Sequence, residues 1–430
     1  MGKDGRRVVI TGMGLVSPMA SNVEDTWKGM LEGRSAVDYT TIYDASTFPT
    51  TFSGQVRDES VISRFESDPE LKYSGRNLRF ALVAGQQAFE DAGLHEAEIN
   101  KERFGVYLGA GEGPPDWMTF GNLLAEAWTG AKTDTAAFLK NAVTRMNALR
   151  ELFQEPNIAA GLLARRFSAL GPNMTCLTAC AASGQAMGEA GHIIRRGDAD
   201  VMLSGGAHSM IHPYSQAGFN LLTALSQRND DPKRASRPFD KERDGFVLAE
   251  GSAMLVLEEL YHAEARGVRI YGELMGYGTT GDAYRLTDMH PEGRSAKSAM
   301  RMALEDAGIE PKDVDYINAH GTSTAVNDKI ETVAIKEVFG EHAKRIPVSS
   351  IKSMVGHLIA SAGAIEAIAC LLAIRDQILP PTTNYEHPDP ELDLDYVPNV
   401  ARKAAVSIAL SNSFGFGGQN VALVFGRYPL

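Results

Sequence analysis

The residue best placed to do chemistry in this sequence is Cys180, which lies between a short apolar segment and a segment rich in small residues. The apolar spacing predicts a strand over 172–178 and a helix over 181–196. A thiol at this joint faces the N–H groups of the helix N-terminus, which should lower its pKa and could bind a developing oxyanion. The alternative is a buried structural cysteine, since lone cysteines are commonly buried.

Two histidines lie where predicted strands end, which is where α/β sheets bind ligands. His320 occupies the glycine-containing turn Asn318-Ala-His-Gly-Thr-Ser-Thr324. His357 opens an apolar helix predicted over 358–375, and this position should lower its pKa and keep the imidazole neutral. Lys352 lies between a buried strand and this helix, which favours a specific partner for its ammonium group. Either histidine could instead be a hydrogen-bonded core residue.

Two glycine-rich segments are candidates for close backbone approach to a ligand. The segment 411–420 (SNSFGFGGQN) lacks the Lys-Ser/Thr ending of a phosphate loop, so a backbone N–H for an oxyanion hole is the better interpretation. Gly12-Met-Gly14 lacks the third glycine of a dinucleotide loop and predicts a tight turn. One cysteine and two histidines at strand ends favour acyl transfer through a thioester. A cysteine hydrolase would need only one base with an orienting group.

Composition excludes several classes of function. The chain has 430 residues, 44% of them hydrophobic, and a net charge of −12, which argues against nucleic acid as a partner. Its three cysteines are too few for a disulfide framework, and Cys176-x-x-x-Cys180 lacks zinc-site spacing, so we expect no metal. No apolar run reaches membrane-spanning length, and a strand is predicted almost at the start, leaving no room for a signal sequence. We therefore expect a cytoplasmic protein without membrane contact.

An internal repeat suggests how the chain is organised. The sequence AFEDAGL at 88–94 returns as ALEDAGI at 303–309, about half the chain away, each time at a predicted helix end followed by a strand. This offset predicts two similar α/β halves, 1–260 and 261–430, although a chance match of two helix ends is the alternative. The segment 113–167 is the least periodic part of the first half, and we expect it to form a helical cap.

Several long motifs in a fixed order resemble the β-ketoacyl-acyl-carrier-protein synthases, type II condensing enzymes of the thiolase superfamily. The motifs are TACAASG around Cys180 and the segments 234–251, 318–324, 349–366 and 412–420. The resemblance implies a thiolase-like, five-layered αβαβα fold made of two duplicated halves, arranged as a homodimer or as a heterodimer with a ketosynthase-like partner. It also implies decarboxylative condensation of an acyl thioester with malonyl-acyl carrier protein. The substrates would arrive on the phosphopantetheine arm of the carrier, with no other cofactor.

The same resemblance assigns roles to individual residues. Cys180 corresponds to the acyl-accepting nucleophile, and its N–H with that of Phe414, the gating aromatic, corresponds to the oxyanion hole. The remaining assignments are the malonyl-carbonyl donors His320 and His357, the electrostatic support Lys352, the phosphopantetheine contacts Thr322 and Thr324, and the substrate-binding residue Phe219. We expect carrier docking at a local basic patch of Lys72, Arg76 and Arg79, since carrier proteins are acidic.

The sequence also departs from the family pattern. Glu112 occupies a place where relatives carry an apolar residue at the far end of the acyl pocket, and a buried carboxylate there would demand a shorter or more polar acyl chain. Glu112 could instead turn away to an arginine such as Arg145 or Arg150. A specialised ketosynthase of a type II polyketide or polyene pathway is therefore the main alternative. A thiolase is disfavoured because 411–420 lacks a second cysteine, and a non-catalytic chain-length partner because Cys180 is present.

Overall fold

The computed structural model describes residues 5–111, 113 and 116–429. Its strands alternate with helices along most of the chain, in the order typical of an α/β protein. The strands are β1 (Val8–Val16), β2 (Asp38–Tyr39), β3 (Phe52–Ser53), β4 (Phe104–Ala110), β5 (Asn173–Cys176), β6 (Val201–His208), β7 (Gly251–Glu259), β8 (Gly272–Gly281), β9 (Tyr316–Asn318), β10 (Val348–Ser349), β11 (Ile378–Leu379), β12 (Arg402–Lys403), β13 (Ile408–Gly415) and β14 (Gln419–Gly426).

The helices cover both faces of the sheet formed by these strands. They are α1 (Val23–Leu31), α2 (Glu59–Ile62), α3 (Arg76–Asp91), α4 (Trp117–Ala127), α5 (Thr135–Arg145), α6 (Ala148–Leu152), α7 (Ile158–Phe167), α8 (Ala182–Arg195), α9 (Pro213–Leu221), α10 (Leu260–Arg266), α11 (Arg294–Ala307), α12 (Ala325–Phe339), α13 (Lys352–Val355) and α14 (Ala362–Asp376). Over the described ranges, none of them combines the length and the apolar character that crossing a bilayer requires.

Each half of the chain contributes five strands in the same order. This order is β5-β4-β6-β7-β1 in the first half and β10-β9-β13-β14-β8 in the second. In both halves the second strand of this order, β4 or β9, runs parallel to its two neighbours, and the fourth, β7 or β14, runs antiparallel to its two neighbours. A short pairing of β1 with β8 joins the two halves into one sheet. The identical order confirms the predicted duplication.

The elements stack in five layers. Helix α3 covers β1, β6 and β7 of the first half, and α11 covers β8 and β14 of the second. Helices α8 and α14 contact each other and strands of both halves, so they form the middle layer. Every residue of α14 from Ala362 to Ile374 is buried, which explains why its sequence lacks a polar face. The thiolase-like αβαβα arrangement is thus confirmed.

The glycines near the start of the chain do not form the predicted turn. Gly12 and Gly14 lie inside β1, where helix α3 crosses the strand at very short distance. A Cβ added at Gly14 would lie 1.9 Å from the carbonyl oxygen of Ala84. Gly276 and Gly278 of β8 meet α11 in the same way. The prediction of a tight turn is therefore wrong, because these glycines permit close helix-on-strand packing in both halves.

The predicted cap over 113–167 is too long at its C-terminal end. Helix α7 packs on α3 and β4, Leu163 is fully buried, and the ring of Phe167 stacks on Phe89 with centroids 4.2 Å apart. This helix belongs to the core, since its apolar face covers the sheet. The helices of this segment that lie outside the core are α4, α5 and α6.

The predicted boundary between the two halves, at residues 260 and 261, falls at the start of α10, which follows β7 directly.

Replacing Gly14 with alanine should destabilise the protein by roughly 1–3 kcal/mol or more, because the added methyl group overlaps the backbone of α3. The matched control is Gly161→Ala in α7, where nothing lies within 4 Å of an added Cβ. This control should stabilise the helix by up to about 1 kcal/mol. Urea unfolding of both variants measures the difference. Equal stabilities would contradict the packing role of Gly14.

Candidate active site

Cys180 lies in a sharp joint between β5 and α8, as the sequence predicts. The chain turns there through the 3₁₀ helix Ala179–Ala181, whose first residue has a φ of 47°. The same joint precedes α14, where the 3₁₀ helix Ile359–Ser361 begins with a φ of 46°. Left-handed backbone is strained for residues with a Cβ. The duplicated fold therefore holds two matching strained turns, one with the cysteine and one next to His357.

The pKa of the Cys180 thiol is raised in the free protein, not lowered. Burial raises this pKa to about 11, while the charge of Lys352 and the backbone N–H of Phe416 act in the opposite direction. The predicted net activation by the helix N-terminus is therefore wrong for the unloaded protein, because desolvation of the thiolate is the larger effect. The thiol is protonated at neutral pH, and its proton has to leave during the reaction.

His320 is held in place by a carboxylate behind its loop. Glu331 accepts a hydrogen bond from the backbone N–H of His320 at 2.9 Å and one from that of Gly321 at 2.8 Å. Burial, followed by the charge of Lys352, lowers the pKa of His320 well below its usual range. The ring is therefore neutral, and its orientation is set by a fixed backbone.

His357 presents one ring nitrogen to the cavity. Its Nδ1 accepts a hydrogen bond from the backbone N–H of Ile359 at 3.3 Å, so the ring proton lies on Nε2. This Nε2 is buried and has no hydrogen-bond partner among the described residues. The pKa of His357 is lowered well below its usual range, as predicted, but the main cause is burial, with the charge of Lys352 adding to it.

Lys352 has the specific partner that its position predicts. Its Nζ donates to the carboxylate of Glu366, and both side chains are buried. The same Nζ lies 3.4 Å from Nδ1 of His320. Because an ammonium group can only donate, this Nδ1 accepts and the proton of His320 lies on Nε2. Burial raises the pKa of Glu366 to about 7, although the charge of Lys352 opposes this.

The cysteine and the two histidines meet at one point. Sγ of Cys180 and one ring nitrogen each of His320 and His357 lie within 4.8 Å of one another. The two imidazole rings are 5.3 Å apart and nearly perpendicular, at 82°. A cysteine and two histidines could also bind a transition metal. The positive charge of Lys352 beside His320 opposes a cation there, and the absence of a metal stays a prediction.

These three side chains line a cavity of about 370 Å³. Most of the remaining lining is apolar, which suits an acyl chain. It includes Met210, Phe219, Phe246, Ile359, Phe414 and Phe416, with Thr322 and Thr324 at the polar side. The cavity therefore brings together the predicted nucleophile, both histidines, both threonines and Phe219, the predicted substrate-binding residue.

Phe416 replaces Phe414 as the candidate backbone donor. Phe414 lies within β13, paired with Asn420 of β14, and its buried ring contacts that of His320 with centroids 5.7 Å apart. The backbone N–H of Phe416, in the following turn, points at the Cys180 thiol and lowers its pKa. Phe416 is also only half-buried, which suits a gate better than a ring packed in the core. The structure therefore favours Phe416 over Phe414 for these two roles, and both roles stay predictions.

The other predicted substrate-binding side chains differ in how far they are already engaged by contacts within the protein. The hydroxyl groups of Thr322 and Thr324 are 3.0 Å apart, and that of Thr324 also accepts the N–H of Asn327 as the cap of α12. Thr322 is therefore the freer of the two. The ring of Phe219 packs edge-on against Phe246, with centroids 5.5 Å apart. Glu112 lies outside the described residues, so its predicted place in the acyl pocket stays a prediction.

Two of the three predicted docking cations are engaged inside the protein. Arg79 is buried, and its guanidinium donates to the backbone carbonyls of Ile62 and Lys72. Arg76 forms an ion pair with the fully buried carboxylate of Glu250. Guanidinium groups held inside the protein in this way are not available for direct contact with an acidic partner. The patch is therefore corrected to Lys72, which is exposed, and docking at Lys72 stays a prediction.

Two buried acids at this site were not predicted. Glu331 orients the His320 loop and also accepts a hydrogen bond from Asn412 at 3.1 Å. Glu366 pairs with Lys352. The sequence carries a signal for Glu366, which is a single carboxylate within the apolar stretch of α14, but none for Glu331, because α12 contains several other charged residues. Only the contacts reveal which groups they serve.

The fold and this cysteine–histidine site define a thiolase-like condensing enzyme. The chain belongs to the β-ketoacyl synthase family: the profile of the Beta-ketoacyl synthase, N-terminal domain, matches residues 5–263, and that of the C-terminal domain matches residues 271–386. It is 46% identical over 423 residues to the 3-oxoacyl-[acyl-carrier-protein] synthase 2 of Synechocystis sp., covering 98% of each chain. It is 44% identical to that of Coxiella burnetii, covering 98% of this chain and 99% of the relative.

Solved structures give the same family. One is a ketosynthase bound to the hexaketide, in complex with its type II PKS acyl-carrier protein, with a TM-score of 0.87 and 36% identity over 98% of this chain and 99% of that chain. The ishigamide ketosynthase/chain length factor matches with a TM-score of 0.87 and 35% identity over the same shares. These neighbours confirm the fold and the class of enzyme.

The charges around Cys180 predict how fast the thiol is alkylated. Because its pKa is about 11, the rate of iodoacetamide labelling should rise about tenfold per unit between pH 7 and pH 9. Lys352→Met should slow labelling at fixed pH, since the lost positive charge raises the pKa. Glu366→Gln should accelerate it, since the lost negative charge lowers the pKa. Each shift is on the order of one unit.

Mass spectrometry of the peptide that contains Cys180 separates its labelling from that of Cys176. The matched control is Lys329→Met, which breaks the exposed ion pair of Lys329 with Glu391 and should leave the rate unchanged. A faster rate in Lys352→Met would contradict the electrostatic account.

Proposed function

We propose that this chain catalyses the decarboxylative condensation of an acyl group held on Cys180 with a malonyl group on an acyl carrier protein. The observation that carries the proposal is the approach of Sγ of Cys180 and both histidine rings to within 4.8 Å in an apolar cavity. A nucleophile and two neutral donors around one point suit a reaction that passes an acyl group on and stabilises an enolate. The names of the relatives support the same reaction.

In the first step, Sγ of Cys180 attacks the thioester carbonyl of the acyl carrier. The backbone N–H groups of Phe416 and Cys180 stabilise the oxyanion of the tetrahedral intermediate. The intermediate collapses and releases phosphopantetheine, whose sulfur takes up the proton that Cys180 has lost. This exchange needs no strong base, because one thiol is consumed and one is formed.

In the second step, the malonyl thioester loses its carboxylate as CO₂. The electron pair of the broken bond forms an enolate, whose oxygen accepts hydrogen bonds from Nε2 of His320 and Nε2 of His357. Lys352 and the N–H of Ile359 fix these tautomers from the opposite ring nitrogens. The enolate carbon then attacks the acyl carbonyl, and Cys180 leaves as a thiolate that takes up a proton.

Fatty acid elongation is the pathway that we propose first. The two relatives named 3-oxoacyl-[acyl-carrier-protein] synthase 2, at 44% and 46% identity, support it. A type II polyketide or polyene ketosynthase is the second candidate, supported by the structural likeness to a ketosynthase bound to a hexaketide. The two pathways are separated by the products that the enzyme forms when malonyl carrier is its only extender and no reducing enzyme is present. Fatty acid elongation predicts one condensation, whereas a polyketide ketosynthase should form longer chains that carry several oxo groups.

An exposed apolar surface supports a dimer. Large apolar side chains of the outer helices α4 and α5 face solvent, namely Met118, Phe120, Leu124, Leu139 and Val143, and so does Trp128 directly after α4. Strand β5 next to Cys180 is also the edge of the sheet. A patch of this kind on a folded chain is typical of a protein interface. We propose that a second copy of this chain covers the patch. Light scattering of the purified chain should therefore give the mass of a dimer, and the mass of a monomer would contradict the proposal.

The two histidines should serve decarboxylation more than acyl loading. His320→Ala and His357→Ala should each slow CO₂ release from malonyl carrier by about 10²-fold or more, because one enolate donor is lost. Acyl transfer to Cys180 should persist, since the groups proposed to stabilise its intermediate are backbone N–H groups. Labelled CO₂ and the mass of the acylated protein measure the two steps separately.

The matched control is His342→Ala, whose ring contacts the carbonyl of Val314 outside the cavity. It should release CO₂ at the unaltered rate. Unchanged CO₂ release in both cavity variants, or an acyl adduct on Cys176 or Cys370, would contradict the proposed roles.

A further inference from the structure

His208 is a third histidine of the same cavity, and the mechanism does not use it. It ends β6, opposite Gly251 of β7, and only 2% of its surface is exposed. Its side chain lines the cavity that contains Cys180. It is not a member of the cluster formed by Cys180, His320 and His357. It lies near enough to His357 to lower the pKa of that residue, and it lines the cavity where an acyl chain on Cys180 would lie.

Both ring nitrogens of His208 are buried without a hydrogen-bond partner among the described residues. The two catalytic histidines differ in this respect, because Nδ1 of each lies next to a donor, Lys352 or the N–H of Ile359. An unsatisfied polar group in an apolar cavity has a cost, and a bound partner removes that cost. The orphaned imidazole thus points to a ligand with a polar group.

The position of the His208 ring is fixed by its packing. A Cβ added at Gly111 would lie 2.2 Å from Nε2 and 2.4 Å from Cδ2 of His208, so the ring lies directly against the backbone of this glycine. Residue 111 follows β4, whose last residue pairs with Ala207. A side chain at position 111 would push the ring out of its place. The glycine therefore keeps room for the imidazole.

The ring of His208 is neutral at neutral pH. Burial, with a smaller contribution from His212, lowers the pKa of His208 to about 3. A neutral imidazole has one N–H donor and one acceptor nitrogen. It can therefore donate to a carbonyl oxygen or exchange hydrogen bonds with a hydroxyl group, and it offers no charge to a carboxylate.

We propose that His208 selects acyl chains that carry an oxygen, as an oxo or hydroxyl substituent, by hydrogen bonding to that oxygen inside the cavity. A saturated chain would exclude water and leave both nitrogens unpaired, whereas an oxygenated chain pairs one of them. Such substrates arise when the β-oxo group of an earlier condensation is retained or only reduced to an alcohol. The inference rests on the proposed condensation, specifies its acyl substrate, and favours the second candidate pathway over fatty acid elongation.

A competition experiment tests this selection. The enzyme receives equal amounts of a saturated acyl carrier and an oxo- or hydroxyacyl carrier of the same length, together with malonyl carrier, and the initial rates of the two products are compared. The oxygen is moved along the chain in a panel of such carriers. Wild-type enzyme should prefer one oxygenated chain by about tenfold, the worth of one net hydrogen bond.

Three variants assign the preference to the imidazole. His208→Leu should abolish the preference, and His208→Gln should retain part of it, because the amide keeps a donor and an acceptor. Gly111→Ala should reduce the preference by displacing the ring of His208. This variant replaces His208→Leu in the test if His208→Leu does not fold. His192→Ala, outside the cavity, is the control and should keep the wild-type ratio.

A ratio near one in wild type for every oxygen position, or an unchanged ratio in His208→Leu, would overturn the inference while leaving the condensation intact. Failure of wild type to form any β-ketoacyl product would instead refute the proposed function. The two failures are therefore distinguished by the wild-type reaction with the saturated chain.

Discussion

The buried ion pair between Lys352 and Glu366 is the contact on which the geometry of the site depends. Glu366 comes from the fully buried helix α14, and Lys352 comes from the short helix that leads to His357. Removing two charges from water is costly, and a pair of this kind is seldom the most stable solution for a core. Its presence is explained by what it does for the site, because Nζ of Lys352 also reaches His320 at 3.4 Å.

This pair has two electrostatic consequences. The ammonium group forces Nδ1 of His320 to accept, so that Nε2 is a donor, and it also disfavours protonation of both histidines. The same charge lowers the pKa of Cys180 against the larger effect of burial, while Glu366 raises it. The lysine of this pair therefore adds to the effect of burial that keeps two imidazoles neutral, and it moderates the cost of forming a thiolate. Neutral donors are what an enolate oxygen needs, because its charge develops only in the reaction.

The duplicated fold explains how these groups come together. Each half places a strained 3₁₀ turn before its middle-layer helix, and α8 and α14 pack against each other. The first half uses its turn for Cys180. The second half carries His357 just before the equivalent turn and His320 after β9. The site thus lies where the two halves meet, with the nucleophile from one and the donors from the other.

Much of this arrangement could be predicted from the sequence. The repeated AFEDAGL and ALEDAGI helices indicate the duplication, and the joint around Cys180 follows from the change in apolar spacing. The role of Gly12 and Gly14 could not be predicted from the sequence. They lie inside β1, and only the packing of α3 against this strand shows why glycine is required there. The raised pKa of Cys180 depends on burial by distant segments, which local sequence does not contain.

The errors at single residues have related causes. Arg76 and Arg79 look like solvated cations on a helix, but their partners lie far away in the chain or in the backbone. The choice between Phe414 and Phe416 depends on where β13 ends, and strand ends are poorly defined by sequence. His208 gives no signal in the sequence, because its orphaned nitrogens become apparent only in the assembled cavity.

A single turnover of the acylated protein tests the central claim most directly. The protein is loaded with an acyl group on Cys180, freed of the acyl carrier, and then mixed with malonyl carrier. Mass spectrometry follows both proteins. The account predicts that Cys180 loses the acyl group as the carrier gains it, with loss of CO₂, to form a β-ketoacyl carrier. Release of the free acid, or an acyl group that stays on Cys180 while CO₂ is lost, would contradict it.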